Sequence, residues 1–395
     1  MNDLRIGVAG LGLRRSLAVE AHRPGNGSRV TAVCDLDPAT FDWAADQFGT
    51  SVRTFMDFGD LLSADIDAVL ILTPDDTHAA LGVQALTAGI ATLLEKPLAI
   101  TTGECDELLD QAKQQGTKLY VGHNMRHMPV IRTMRSLIAE GAIGEVQAIW
   151  CRHFVGHGGD FYFKDWHADR RRTTGLLLQK GAHDIDVIHW LAGATSQRVA
   201  AMGKLSVYNR ITDRQHSEGD RPQDWFSPDT NWPPLSQHGL HPTVDVEDLS
   251  MMLMDLGNGV QASYQQCHYT PDYWRNYTVI GTEGRLENFG DTSEDAVVRV
   301  WNSGRRGWDA EGDRVVPVPR PPGGHGGADS ALIDEFLRFV RVGGTTDTSP
   351  VAARDAVAAG VAATTSLRSQ GQPQQVTPLS PELVDYYRDG QPGSR

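Results

Sequence analysis

The stretch that decides the fold is Leu4-Arg5-Ile6-Gly7-Val8-Ala9-Gly10-Leu11-Gly12-Leu13-Arg14-Arg15. A short apolar run enters a glycine turn, and helix-compatible sequence follows. Gly10 permits the tight turn, and Gly12 lets the backbone approach a pyrophosphate. The first N–H groups of the following helix would face the phosphates. Arg15 replaces the third glycine of such turns, which implies either looser helix–strand contact or an extra phosphate contact. A second β-branched run, residues 30–33, ends in Cys34-Asp35. An acid at that strand end would bond ribose hydroxyls and repel a 2′-phosphate, which favours NAD over NADP. Arg14 and Arg15 keep NADP open.

Outward from this turn the same alternation continues. Apolar runs at 68–72, 91–94 and 118–122 end in Thr73-Pro74, Glu95-Lys96-Pro97 and His123-Asn124. Helix-length segments lie between them at 38–48, 77–88 and 101–115. Thr77 and Thr101 fit N-caps, and Gly89 and Gly116 fit C-termini. Near-continuous apolar strands alternating with helices predict a parallel sheet covered on both faces. Ligands of such sheets sit beyond the carboxyl ends of the strands.

After residue 124 the pattern changes. A helix near 130–140 and a strand near 145–154 precede a charged, aromatic segment and a helix from about 181 to 192. Residues 209–243 are polar without a clear period and read as a long loop or lid. Strand-like runs return at 249–256, 260–267 and 276–281, with Gly257-Asn258-Gly259 as a hairpin turn. A glycine-rich stretch, Pro321 to Gly327, precedes helices at about 329–341 and 351–368. The tail after Gly371 reads as surface-bound or loose. The division is thus 1–123, a dinucleotide-binding Rossmann domain; 124–370, a substrate-binding and oligomerisation domain; and 371–395, a C-terminal tail.

Composition narrows the function classes. With 395 residues the chain is long enough for two cores, and 40% apolar with 22% charged residues is ordinary for a soluble protein. A net charge of -14 argues against a general nucleic-acid binder. The four cysteines, Cys34, Cys105, Cys151 and Cys267, are widely separated and read as reduced thiols. Arg14-Arg15 follows a strand and turn, so it does not read as an export signal. No run reaches the roughly 18 apolar residues of a membrane span. The chain reads as cytoplasmic, with no membrane or nucleic-acid partner.

The combination Gly10-Leu11-Gly12, Thr73-Pro74 with His78, Glu95-Lys96-Pro97, Asn124-Met125-Arg126 and His183-Asp184-Ile185-Asp186 resembles the Gfo/Idh/MocA oxidoreductase family. The resemblance covers roughly residues 4–290. It implies an α/β protein with an N-terminal Rossmann doubly wound parallel sheet. A C-terminal α/β domain on an open, mostly antiparallel sheet would follow and would often build dimers or tetramers. It also implies NAD(P)-dependent hydride transfer on sugars, cyclitols or their derivatives. In that family the lysine matching Lys96 is catalytic or orients substrate, and the histidine matching His183 assists it. Many members carry an Asp four residues before that histidine. Here the position is Gln179, followed by Lys180, so the usual Asp–His pair is incomplete.

Oxidising a secondary alcohol removes a hydride from carbon and a proton from oxygen, so a proton acceptor must reach the hydroxyl. Lys96, at a strand end, and His183, with Asp184 and Asp186 beside it, are the candidates. Lys180 is either a second cation of the pocket or a solvated charge. The segment Lys164-Asp165-Trp166-His167-Ala168-Asp169-Arg170-Arg171-Arg172 is locally basic and aromatic. Trp166 could stack on a sugar, and an arginine could hold an anionic substituent. The alternative is a solvated run with local Asp partners. His268, Tyr273, Trp274 and Arg275 could line the pocket, with His325 at its rim.

The expected catalytic residues are thus Lys96 and His183. The dinucleotide is expected on Gly10, Leu11, Gly12, Arg14, Asp35, Thr73, Pro74, His78, Glu95, Lys96 and Asn124. Substrate is expected on Arg126, Trp166, Arg170, Arg171, Arg172, Gln179, Lys180, His183 and His268. No zinc spacing is present and no metal is expected. The expected activity is NAD-dependent oxidation of a sugar or cyclitol hydroxyl by a homo-oligomer. One alternative is an NAD-dependent glycosidase that oxidises, eliminates, hydrates and reduces, with an acidic, for example sulfonated, sugar among its substrates. A second is a non-enzymatic NAD-binding regulator.

Overall fold

In the computed structural model, which describes residues 2–214, 231–305, 307–388 and 390–391, the apolar runs of the first third form one sheet. Its strands are β1 (Leu4–Ala9), β2 (Ser28–Cys34), β3 (Arg53–Phe55), β4 (Ala68–Ile71), β5 (Ala91–Leu94) and β6 (Leu119–Val121). The order is β3-β2-β1-β4-β5-β6, and every adjacent pair is parallel. All four residues of β4 are buried, as expected for a strand covered on both faces. The strand order reverses between β1 and β4. The turns leaving these two strands therefore flank the crevice where doubly wound sheets take ligands.

The helices between the strands start and stop where the caps direct. Thr101 and Glu104 form a reciprocal capping box on the helix Thr102–Gln115, which ends on left-handed Gly116. Thr77 precedes the helix His78–Thr87 but does not cap it with its side chain. Its hydroxyl instead donates to the Pro74 carbonyl at 2.6 Å and shares a 2.6 Å hydrogen bond with Thr73 Oγ1.

The chain divides into two units: residues 1–124, 329–357 and 379–395, and residues 125–328 and 358–378. This differs from a division in sequence order, which would leave 329–357 with the second domain and the tail by itself. The helix Ala328–Val342 returns to the first unit. Its Leu332, Ile333, Phe336, Phe339 and Val340 join the core formed by Ile6, Val8, Val30, Leu70, Leu93 and Tyr120. Polar contacts pin the return. Tyr120 donates to Glu335 at 2.9 Å, and Lys118 Nζ to the Val340 carbonyl at 2.6 Å.

Among the described residues the tail is docked. Tyr387, in the helix Pro381–Arg388, donates to the Leu109 carbonyl at 2.8 Å. The Gln391 side-chain amide pairs with both the N–H (2.8 Å) and the carbonyl (2.7 Å) of Leu119, satisfying the edge of β6.

The second unit is built on nine strands. They are β7 (Val146–Phe154), β8 (Ser196–Lys204), β9 (Leu249–Leu256), β10 (Gln261–Cys267), β11 (Trp274–Gly281), β12 (Arg285–Phe289), β13 (Val297–Trp301), β14 (Arg314–Pro317) and β15 (Gln374–Gln375). They lie in the order β14-β13-β12-β11-β7-β10-β9-β8-β15, with only β7 and β10 parallel. Gly259, at φ +87°, makes the β9–β10 hairpin turn at the expected place. Burial alternates along β7, β9 and β10, so the sheet has one covered face. The other face exposes Trp150, Met202, Met251 and Leu253. The covered face presents Cys151, His153 and Tyr264, all buried, and the helix Gly181–Ala192 belongs to the same unit. Of the polar segment 209–243, residues 215–230 lie outside the described residues; the remainder carries short turns of helix at Tyr208–Arg210 and Pro234–Ser236. Among the described residues no helix is long and apolar enough to cross a membrane.

Candidate active site

In the first unit the turn after β1 has the form a dinucleotide needs. Gly10 has φ +89°, and a Cβ there would lie 2.8 Å from the Leu72 carbonyl oxygen, so only glycine fits. A Cβ on Gly12 would meet no atom within 4 Å, so its backbone is open to a close-approaching ligand. The Leu11 N–H donates to Asp35 Oδ2 at 2.6 Å, which joins the turn to the end of β2. The Asp35 carboxylate also accepts from the Asp37 N–H at 2.9 Å. It thus sits at the end of β2 directly beside the glycine turn. Exchanging Asp35 for Ser should weaken NAD binding and relax discrimination against NADP. Calorimetric titration of both cofactors checks this, and tighter NADP than NAD binding by the unaltered protein would refute it.

Glu95-Lys96-Pro97 leaves β5, which lies beside β4 on the far side from β1. The Lys96–Pro97 peptide is cis, and Lys96 is half-buried. Glu95 Oε2 accepts from the Lys96 backbone N–H at 2.8 Å, while Oε1 accepts from Arg14 Nε at 2.6 Å. The other two nitrogens of Arg14 each lie 3.2 Å from Asp329, and Asn124 Nδ2 donates to Asp329 Oδ1 at 2.8 Å. Four residues far apart in sequence thus share one buried network. Three were expected at the dinucleotide; Asp329 was not, because a lone acid after a glycine-rich loop carries no signal of its partner. Burial opposes charge on Arg14, but Glu95 and Asp329 override this and keep the guanidinium firmly protonated.

His78 is fully buried, with Nδ1 2.7 Å from the Pro97 carbonyl and Nε2 3.0 Å from the Thr73 carbonyl. Burial lowers its pKa, so the ring is neutral and its single N–H donates to one of these two carbonyls. It braces Thr73-Pro74 against the Lys96–Pro97 turn.

In the second unit Gln179 is buried, Lys180 is half-buried and His183 is the half-buried residue in the first turn of the helix Gly181–Ala192. Lys180 lines a recess of about 580 Å³ together with Tyr273, Arg275, Asp291, Arg320 and His325. The recess is concave and polar, within the size range of small-ligand pockets. Tyr273 donates to Asp291 Oδ2 at 2.6 Å. Asp291 and Arg320 were not legible as pocket residues; His325 was placed at a rim and lies in the lining.

Arg275 of this lining also belongs to a buried cluster. Arg275 Nε lies 3.1 Å and His153 Nδ1 3.3 Å from Asp184, and the Tyr277 hydroxyl donates to the same carboxylate. Burial alone would raise the Asp184 pKa; Arg275, with His153 and Tyr277, overrides it and holds the carboxyl well below the usual range. Burial and Arg275 push the His153 pKa down to about 3, so this imidazole is neutral at neutral pH. His268 is fully buried against the Tyr162 ring at 5.1 Å, and burial likewise keeps it neutral.

Other expected substrate residues take structural partners. Arg126 makes a buried two-point ion pair with Asp186 at 2.7 and 2.6 Å. Arg170 pairs with Asp245 at 2.9 Å, and Arg171 pairs with Asp169 while 76% of its side chain stays exposed. Trp166 stacks on His167 at 3.7 Å, with the Arg172 guanidinium 5.7 Å from the Trp166 ring. Within the run Arg171 and His167 take local Asp partners; Arg170 reaches Asp245, 75 positions away, and Arg172 lies over Trp166. Among the described residues no group of three or more His, Cys, Asp or Glu side chains could hold a metal ion. All four cysteines are free thiols.

A glycine turn at a topological switch point, with a lysine turn two strands away on β5, is the arrangement of an α/β dinucleotide-binding domain. Comparison with known proteins gives the family. Residues 4–123 match the family model of an oxidoreductase NAD-binding Rossmann fold, and residues 135–376 that of the oxidoreductase C-terminal alpha/beta domain. The chain belongs to the Gfo/Idh/MocA oxidoreductase family, and its first unit is an NAD-binding Rossmann domain. It is 25% identical over 350 residues to the protein YteT of Bacillus subtilis (strain 168), covering 78% of this chain and 82% of that one. It is 31% identical over 193 residues to an inositol 2-dehydrogenase of Ralstonia nicotianae, covering 48% of this chain and 55% of that one. Among solved structures, a levoglucosan dehydrogenase complexed with NADH and levoglucosan aligns with a TM-score of 0.75. That alignment covers 95% of this chain and all of the other at 20% identity, a likeness of fold.

Proposed function

We propose that the protein oxidises a secondary hydroxyl of a sugar or cyclitol with NAD as hydride acceptor. The observation that carries the proposal is Lys96, a half-buried lysine whose own peptide N–H is tied, through Glu95 and Arg14, to the dinucleotide turn. NAD, when bound, supplies the hydride acceptor. Lys96 supplies the group that takes the hydroxyl proton, and the structure around it limits its motion. Glu95 fixes the peptide before the cis bond, and His78 fixes the carbonyl after it. Such positioning is what general-base assistance needs. His183 assists as hydrogen-bond partner of the reacting hydroxyl. The recess beside Lys180, Tyr273 and Asp291 supplies the polar wall that sugar hydroxyls require. The names of the inositol and levoglucosan dehydrogenases support the substrate class. Homo-oligomerisation belongs to the same proposal, supported by the apolar side chains on the open face of the second sheet. A solution mass above the 43.1 kDa of one chain would support it, and a monomer would remove it.

The deciding experiment incubates the protein with NAD in D₂O. The panel is myo-inositol, levoglucosan, neutral hexoses, a uronic acid and aryl glycosides. The expected result is one NADH per oxidised molecule and an unexchanged ketone product from a cyclitol or sugar. Aglycone release over many turnovers without NADH build-up, and with deuterium next to the oxidised carbon, would replace this proposal with the redox glycosidase. NAD binding without turnover of any compound would replace it with the regulator.

A further inference from the structure

We propose that Arg14 and Asp329 form a clamp that positions Lys96, and that Arg14 is not a phosphate ligand. Arg14 directly follows the Gly10–Leu13 turn, where a cation invites the expectation of a phosphate contact. Its guanidinium is instead committed on two sides. Nε reaches Glu95 at 2.6 Å, and the remaining nitrogens reach Asp329 at 3.2 Å each. Glu95 and Asp329 are 4% and 3% exposed, so both carboxylates are buried acids that need a paired cation. A planar fork with five donors spans two carboxylates in one fixed geometry; a lysine, with three donors on a single nitrogen, cannot reproduce that span.

The two arms do different work. The Glu95 arm ends on the Lys96 N–H, so it sets the peptide from which the Lys96 side chain departs. Gly122 closes the other side of Glu95: a Cβ there would lie 3.2 Å from both Glu95 Cα and Oε2. The Asp329 arm anchors the guanidinium to the first turn of the helix Ala328–Val342, and Asn124 holds that carboxylate at 2.8 Å. Without Arg14, the two buried acids would lose the cation they share, and Glu95 would have to move or take up a proton. Either change shifts the Lys96 peptide, and about 1 Å of misplacement is enough to lower a positioned step by about 10²-fold.

The catalytic half of this proposal rests on Lys96 being the acid–base residue; the structural half does not. Arg14→Met, Arg14→Lys, Asp329→Asn and Lys96→Ala would each be prepared as the full chain. Three quantities would be read: hydrogen exchange of the Lys96 amide by mass spectrometry, the NAD dissociation constant, and kcat with whichever panel compound the unaltered protein oxidises. Arg14→Met should speed Lys96 amide exchange by about 10-fold or more. NAD affinity should stay within about 10-fold, and kcat should fall by about 10². Arg14→Lys should recover only part of the protection. Should Arg14→Met fail to fold, Arg14→Lys and Asp329→Asn carry the same readouts in the same direction. The proposal is overturned if these variants leave Lys96 exchange unchanged while NAD affinity falls by more than about 10-fold, the signature of a lost phosphate contact. If Lys96→Ala keeps full turnover, the acid–base assignment fails while faster exchange in the Arg14 variants still reports the clamp.

Discussion

Lys96→Ala is expected to keep the fold and NAD binding and to lose turnover by about 10² or more, the typical size of positioned acid–base assistance. Lys96 is half-buried at the end of β5, and its surroundings are fixed by main-chain contacts that survive removal of its side chain. The melting temperature and the NAD dissociation constant should therefore change little, and the loss should appear in kcat. His183→Ala should also lower kcat. The double variant should lose less than the product of the two if both residues serve one proton. Near-wild-type kcat in Lys96→Ala would remove the lysine from the mechanism.

The largest expected effect on stability belongs to Asp184. Asp184→Ala leaves the buried Arg275 without its carboxylate and strips the Tyr277 hydroxyl of its acceptor. Breaking a buried ion pair by removing one partner destabilises by about 3–5 kcal/mol. Urea unfolding followed by circular dichroism measures it, and a loss below about 1 kcal/mol would show that the cluster rearranges without strain.

Buried groups of the second unit also set an acid limit. The folded-state pKa of Asp184 is depressed, so its contribution is present above the ordinary carboxylate range and is lost as pH falls towards its lowered value. His153 is lowered to about 3 and His189 to about 4, both by burial first. The unfolded chain takes up these protons below about pH 6.5, while the folded chain refuses them. Stability should therefore decline from about pH 6.5 downwards, by about 1.4 kcal/mol per pH unit for each excluded proton. His153→Gln should flatten that decline, and an unchanged pH profile would contradict the assignment.

Much of the first unit was legible because its signals are local. An apolar run too short and too β-branched for a helix, followed by a glycine turn, has few other solutions, and Gly10 sits where a Cβ cannot. The capping box at Thr101–Glu104 and the hairpin at Gly259 are equally local. The strands β8, β12, β13 and β14 carried no such mark. β8 mixes Gln, Arg, Gly and Lys into its run, and β14 has three exposed residues out of four. Strands supported on one face or near a sheet edge need not announce themselves by alternation.

By itself the sequence determined the parallel sheet, the dinucleotide turn and its acid, the lysine at a strand end and the family these imply. Each of those is a contiguous pattern whose backbone requirement is met within a few residues. Only the tertiary structure decided where charges end. Arg14 closes on Glu95 and Asp329, Arg126 on Asp186, and Arg275 on Asp184, pairs separated by 60 to 315 positions in the first two cases. It also decided that the helix Ala328–Val342 returns to the first unit. A helical period records that an apolar stripe exists, and a charge records its sign. Neither records which core or which counter-charge will meet it, because that is settled by burial between segments remote along the chain.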